Sequence, residues 1–429
     1  MATCNNVKVL KGNVLYTPKF GELKVIKNGY LVVQDNKVVG VYENLPEEYK
    51  CSEVIDHGDK MIIPGFVDLH FHAPQLSNRG LGMDKELLPW LETYTFPEES
   101  KYSNLEYAEK AYKKVVKELW RYGTTRSVLF GTIHKDSTNI LMDLLAKAGL
   151  GAYVGKVNMD RNSPDFYIED TEKSLKDTEA WLEETHNKYD IVKPIVTPRF
   201  VPTCTSNLMK GLGDLAKKYN VPVQSHLSEN QGEIAWVSEL HPESSFYGEV
   251  YDNHGLFGQQ PTIMAHCIHG NDAEIELMAK NNVYVAHSPH SNNNLSSGIA
   301  PIRKLVEKGV PVGLASDISG GHAISMTSIM AVSAQVSRLK WLEMNKEYAA
   351  LSAPELLYLA TKGGGGFFGK VGSFEEGYEF DALVIDDENL ADLNPRTLEE
   401  RLERYIYLGD DRNIIERYVA GKKVEEPNF

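Results

Sequence analysis

The sequence predicts an α/β protein: a (β/α)8 barrel flanked by a small β-rich unit drawn from both ends of the chain. Three observations point there. Both termini are β-rich, eight short apolar runs alternate with helical stretches between them, and reactive side chains recur where those runs end. From residue 7 to 54, apolar and polar residues alternate between Gly and Asn interruptions, as in short half-buried strands, and DNKVVG reads as a hairpin. The eight runs follow: IIPGFVDLH, TTRSVLFG, GAYVGKVNM, IVKPIVTPRF, VPVQSHL, TIMAHC, VYVAHS and VPVGLAS. Helical patterns separate them at 104–122, 137–148, 171–186, 205–219, 272–279 and 302–308. In the first, Leu105, Ala108, Tyr112, Val115, Leu119 and Tyr122 recur every three or four residues, and Gly123 stops the helix. Continuous apolar strands suit a parallel sheet covered by helices, and eight such units suit a barrel. A doubly wound sheet is the alternative, but no Gly-x-Gly-x-x-Gly follows the first strand. GSFEEGYEFDALVIDDENL and IERYVAGKKV close the chain with β-branched runs and turn glycines.

Composition narrows the function. The chain has 429 residues, 42% hydrophobic and 24% charged, enough to bury a large core. Lys plus Arg is 45 against 60 for Asp plus Glu; the net charge of −15 repels phosphate backbones and argues against nucleic-acid binding. No apolar run reaches the ~18 residues of a membrane span, and residues 1–10 lack a secretory pattern. Cys4, Cys51, Cys204 and Cys267 are scattered without a Cys-x-x-Cys pair, which predicts buried thiols in a reducing, cytoplasmic protein.

Barrel chemistry belongs at the carboxyl ends of the strands. There the sequence places His70 and His72 (DLHFHAPQ), His226 and Glu229 (QSHLSEN), His266 (MAHCIH) and Asp317 (LASD). His70 and His72 share a face because strand side chains repeat every second residue. Imidazoles and a carboxylate on one rim can hold a divalent metal and leave a position for water; without a thiolate, zinc fits best, with iron and manganese open.

These motifs, with LLPWLETYTFPEE, IVTPRF, AHSPHSNNNLSSG and SDISGG in the same order, resemble the amidohydrolase superfamily, and within it the metal-dependent guanine deaminases. The resemblance spans nearly the whole chain. It implies a TIM-like barrel over 64–370 and a small β-sandwich from 1–63 and 371–429. It also implies metal ligation by His70, His72, His226 and Asp317, with Glu229 at the proton-shuttling position and His266 beside the reactive water. Members with two metals bridge them through a lysine on strand 4; here that strand ends in Arg199, so one metal is expected, and Lys156 reads as structural. The implied reaction is hydrolysis of guanine to xanthine and ammonia in purine catabolism, with a homodimer as the implied assembly. Glu229, His266 and Asp317 would be catalytic. Gln75, Arg199 and Phe200 would read the purine, with His226 and Glu229 also on it. The alternatives are a hydrolase of another aminated heterocycle, such as a triazine or pterin, and a catalytically silent scaffold.

Other features carry less. His241-Pro242-Glu243 lacks the Pro-Cys-x-x-Cys half of the other zinc-deaminase motif. GGGGFFG (363–369) lacks a phosphate-loop ending and reads as a connection back to the small β unit. His287 and His290 are expected at the mouth of the site. His322 and Ser288 stand where relatives often carry an aromatic ring and a Cys.

Overall fold

The computed structural model describes residues 6–429. Its first sheet draws on both ends of the chain. From the amino-terminal side come β1 (Val7–Lys19), β2 (Glu22–Gln34), β3 (Lys37–Tyr42) and β4 (Val54–Pro64). The expected hairpin joins β2 to β3, where Asp35 and Asn36 both take positive φ, as a two-residue turn requires. The eight apolar runs then supply the parallel strands: β5 (Phe66–His72), β6 (Thr124–Phe130), β7 (Gly151–Gly155), a short β8 (Val157–Asn158) that pairs with β10, β9 (Val192–Pro194), β10 (Thr197–Pro198), β11 (Val223–Leu227), β12 (Thr262–His266), β13 (Tyr284–His287) and β14 (Val312–Leu314). Finally β15 (Ala382–Ile385), β16 (Ile414–Val419) and β17 (Lys422–Lys423) return to the first sheet, whose order is β17-β16-β15-β4-β1-β2-β3.

The parallel strands form two four-stranded sheets, β5-β6-β7-β9 and β11-β12-β13-β14. Their edges meet twice. Val196 bridges Val223 in parallel on one side. On the other, His72 N donates to the Ile318 carbonyl at 3.0 Å and Asp317 N to the His70 carbonyl at 2.9 Å. Buried Asp68 strengthens that second seam by accepting from Ser316 N (3.0 Å) and Ser316 Oγ (2.5 Å). Between the sheets lies an apolar cluster of Val67, Leu69, Val128, Ile195, Ile263, Ala265, Ala286, Ala315 and Phe367. The glycine run contributes to this packing as well as connecting: a Cβ at Gly313 would come within 2.7 Å of Gly364 Cα.

Helices cover the outside. Leu105–Arg121 follows the predicted spacing; Asn104 caps it by accepting from Glu106 N and Tyr107 N, and its buried face carries Ala108, Tyr112, Val115 and Leu119. Lys135–Ala148 ends at Gly149 in the left-handed conformation. Among the described residues no helix is long and apolar enough to cross a membrane. Cys204 and Cys267 are buried free thiols, but Cys51 is exposed and disulfide-bonded, which corrects the reading of every cysteine as a buried thiol; Cys4 lies outside the described residues.

Candidate active site

Strand β5 sets the geometry. Its pairing with β6 shifts register between Asp68 and Phe71, and a one-residue irregularity switches the face to which later side chains point. Val67 and Leu69 pack in the inner cluster, and beyond the shift His70 and His72 turn toward the same interior. His226 is the next-to-last residue of β11 and His266 ends β12, while Asp317 follows β14. His266 (φ 72°) and Asp317 (φ 46°) both sit in the left-handed region, so strained backbone is concentrated where the side chains converge.

The convergence is tight. The His70 ring centroid lies 4.7 Å from His72, 4.8 Å from His226 and 5.7 Å from His266. His72 Nε2 and His226 Nε2 face each other at 3.2 Å. Asp317 Oδ1 is 3.1 Å from His70 Nε2 and 3.4 Å from His72 Nε2. Two overlapping groups could hold a metal ion, His70–His226–His266 and His70–His72–Asp317. Outer partners fix the tautomers. His226 Nδ1 donates to the Arg199 carbonyl at 2.6 Å, which leaves its Nε2 lone pair turned inward, and His266 Nδ1 donates to Asn292 Oδ1 at 2.8 Å while Glu229 and Asp317, facing its Nε2, hold His266 above the ordinary imidazole range despite burial. Burial, reinforced by His70, holds His72 and His226 well below the ordinary imidazole range, as neutral ligands require. Burial alone would raise Asp317, but the surrounding imidazoles hold it well below the usual carboxylate range.

Glu229 stands at the edge of this cluster, its Oε2 3.4 Å from His266 Nε2 and its Oε1 accepting from Ser297 Oγ at 3.0 Å. Burial pushes its carboxyl up to about 7, with Glu233 and Asp317 adding to the effect and His266 opposing it. That places it where a proton can be taken up and released near neutrality.

The cavity beside the cluster is lined by His72, His226, Glu229, His266 and Asp317 on one wall and by Gln75, Arg199 and Phe200 on another. Leu87, Trp90 and Leu91 add apolar lining. Arg199 is buried, not the exposed ion-pair residue that an Arg after a strand usually is. His287 and His290 do not line this cavity, which corrects their expected place at its mouth. His287 is buried against a separate pocket, and His290 bonds Ser328 Oγ and packs on the exposed His322 at 4.4 Å. Lys156 is a buried structural partner of Glu169 at 2.7 Å. His241 contacts Arg161 and Glu243 away from the cavity. Sequence reasoning gave no role to Glu99, Asn292, Ser297 or Glu233, although the first three lie within LLPWLETYTFPEE and AHSPHSNNNLSSG and Glu233 stands three residues after Asn230 in a capping box.

Residues 61–424 match the Amidohydrolase family. The chain is 39% identical to a guanine deaminase of Dictyostelium discoideum over 98% of each chain, and 35% identical to that of Escherichia coli (strain K12) over 95% of this chain and 93% of the relative. A crystal structure of guanine deaminase from C. acetobutylicum, with guanine bound in its active site, is 55% identical. It superposes with a TM-score of 0.96, covering 98% of this chain and all of that one. With a family match over residues 61–424 and relatives aligned over nearly all of its length, the chain belongs to the amidohydrolase family.

Proposed function

We propose that this protein hydrolyses guanine to xanthine and ammonia, and that it does so with one divalent metal, zinc, at the histidine cluster. The observation that carries the reading is a buried carboxyl, Glu229, that shares one cavity with His72, His226 and Asp317 and with the amide of Gln75 and the guanidinium of Arg199. The donor set fits a metal. His72 and His226 aim Nε2 atoms at each other at 3.2 Å, and Asp317 Oδ1 lies 3.1 Å from His70 Nε2 and 3.4 Å from His72 Nε2. His70, His72, His226 and Asp317 would hold the ion, which supplies Lewis-acid activation of water at neutral pH.

The protein's own groups do the rest. Asp317 and His266 orient the attacking water. Glu229 accepts its proton and passes it to the ring nitrogen next to the amine-bearing carbon. As the C–O bond forms, that carbon becomes tetrahedral, and a second proton routed through Glu229 lets the C–N bond break and ammonia leave. Arg199 donates to the 6-oxo group, Gln75 reads the polar edge and Phe200 covers a ring face; a purine with a 6-amine would leave buried donors unpaired. For the architecture, the two seams between the parallel sheets support a closed eight-stranded barrel over 64–370. Val38 of β3 and Tyr418 of β16 share one buried cluster although they lie near opposite ends of the sheet order, which supports a curled, sandwich-like unit from 1–63 and 371–429. A homodimer rests on the resemblance alone, and a cytoplasmic setting on the scattered cysteines.

The test follows ultraviolet absorbance of guanine before chelation, after it, and after zinc is returned. Loss and recovery of turnover are expected; turnover by demonstrably metal-free protein refutes the mechanism, and no turnover by metal-loaded protein refutes the substrate.

A further inference from the structure

Behind the wall that carries Gln75 and Arg199 stands a carboxylate that the chemistry above does not use. Glu99, the last residue of the short helix Phe96–Glu99, is 0% exposed and does not line the cavity. Its Oε1 accepts from Gln75 Nε2 at 2.7 Å and from Arg199 Nη2 at 3.2 Å, and its Oε2 accepts from Arg199 Nη1 at 2.6 Å. On the far side of the amide, Gln75 Oε1 accepts from the backbone N–H of Ser319 at 3.2 Å.

These bonds settle two choices that the side chains leave open by themselves. A glutamine amide can present either its oxygen or its nitrogen to a neighbour. Here, turning it over would set oxygen against the Glu99 carboxylate and an NH2 against the Ser319 N–H. A guanidinium on a flexible stem can rotate, but the two-point fork to Glu99 fixes its plane, and the Phe96 ring lies 5.1 Å from its Cζ. Burial alone would lower Arg199's proton affinity, yet the Glu99 carboxylate holds it above its ordinary range. The guanidinium therefore stays charged but locally balanced, and its donors face one way.

We propose that Glu99 is a positioning residue that sets substrate specificity by holding Gln75 and Arg199 in the one arrangement that reads a 6-oxo purine edge. This rests on the guanine reading of the site and deepens it. A carboxylate serving only to neutralise a buried arginine would support every substrate alike; one that aims the recognition groups supports guanine over a purine with an amine at the same place.

The test compares kcat/KM for guanine and for 2,6-diaminopurine in the metal-loaded wild type, Glu99→Gln, Arg199→Met and the double variant, with metal content measured in each. Glutamine keeps an acceptor for Gln75 but loses the charged fork, so its effect runs through Arg199. Glu99→Gln is expected to lower the guanine-to-diaminopurine ratio about tenfold or more, chiefly through a raised KM for guanine. Adding it to Arg199→Met should change the ratio less than about threefold, since residues that act through one contact are not additive. Equal losses on both substrates, or additive losses in the double variant, overturn the proposal. Should Glu99→Gln fail to fold with Arg199 left unpaired, Glu99→Asp, which keeps the buried charge but draws the carboxylate back by one methylene, decides the question: a lowered ratio is expected and an unchanged one overturns the proposal. A wild type without guanine turnover refutes the functional reading; a wild type that turns guanine over beside an unchanged ratio in Glu99→Gln refutes only the role of Glu99.

Discussion

Replacing Glu229 by Gln separates catalysis from stability at a single buried position. The amide keeps an oxygen for Ser297 Oγ, now 3.0 Å away, and nearly the same volume, but it carries no proton between water and ring. Turnover should fall about 10²–10⁴-fold, the usual worth of a general acid–base. Stability should move the other way. The Glu229 carboxyl sits at about 7 instead of its ordinary 4.5, because burial disfavours the ionised form. Below about 4.5 both folded and unfolded chains hold the proton, and the group costs nothing. As pH rises toward 7 the unfolded chain releases that proton and the folded chain does not, so stability is lost progressively and then levels off. At about 1.4 kcal/mol for each tenfold in proton affinity, the loss approaches ~3 kcal/mol. In metal-free protein, where no cation favours the carboxylate, Glu229→Gln should match the wild type near pH 4.5 and exceed it by up to that amount at pH 7 and above. Denaturant unfolding across this range measures it, beside ultraviolet assays of the metal-loaded forms. Activity retained within tenfold, or a stability difference independent of pH, would refute the reasoning.

Three further outcomes are expected. Ser297→Ala removes a donor that lowers the Glu229 proton affinity, so the acid limb of the pH–rate profile should move to higher pH while KM for guanine stays the same; an unmoved limb counts against the contact. Asp68→Ala strands Ser316 N–H and Oγ at the seam between the two parallel sheets and should cost about 2–4 kcal/mol in urea unfolding. Arg126→Ala leaves Asp381, bonded at 2.6 and 3.0 Å, without its cation where β6 meets the terminal sheet; about 3–5 kcal/mol should be lost, with little change in kcat for the protein that remains folded.

The parallel strands and the convergence of His70, His72, His226, His266 and Asp317 were legible because both follow from local pattern: apolar runs of strand length, four of them ending in imidazole or carboxylate groups. His70 and His72 could be placed together by the period of two. That they share an interior with Val67 and Leu69 could not, since it depends on a register shift against β6 that leaves no mark in composition. Glu99 and Ser297 were invisible for another reason. Ser297 meets Glu229 across 68 residues, and Glu99 meets Arg199 across 100 and Gln75 across 24; a single serine or carboxylate with partners that far off has no periodicity to betray it. The histidines at 287 and 290 misled in the opposite sense. Position beside a strand end pointed to the cavity, but His290 turns toward Ser328 and His287 is buried against a different pocket.

The terminal sheet has a consequence for how the chain comes into being. Strand β4 is held by β1 on one flank and by β15 on the other, and β15 begins only at Ala382. A ribosome that has released the first three hundred residues has therefore made a strand with one naked flank, a ready template for a neighbouring nascent chain. The closing segment acts as a clasp that arrives last, and a chain cut short before it would keep every residue of the His–Asp cluster while remaining open to self-association.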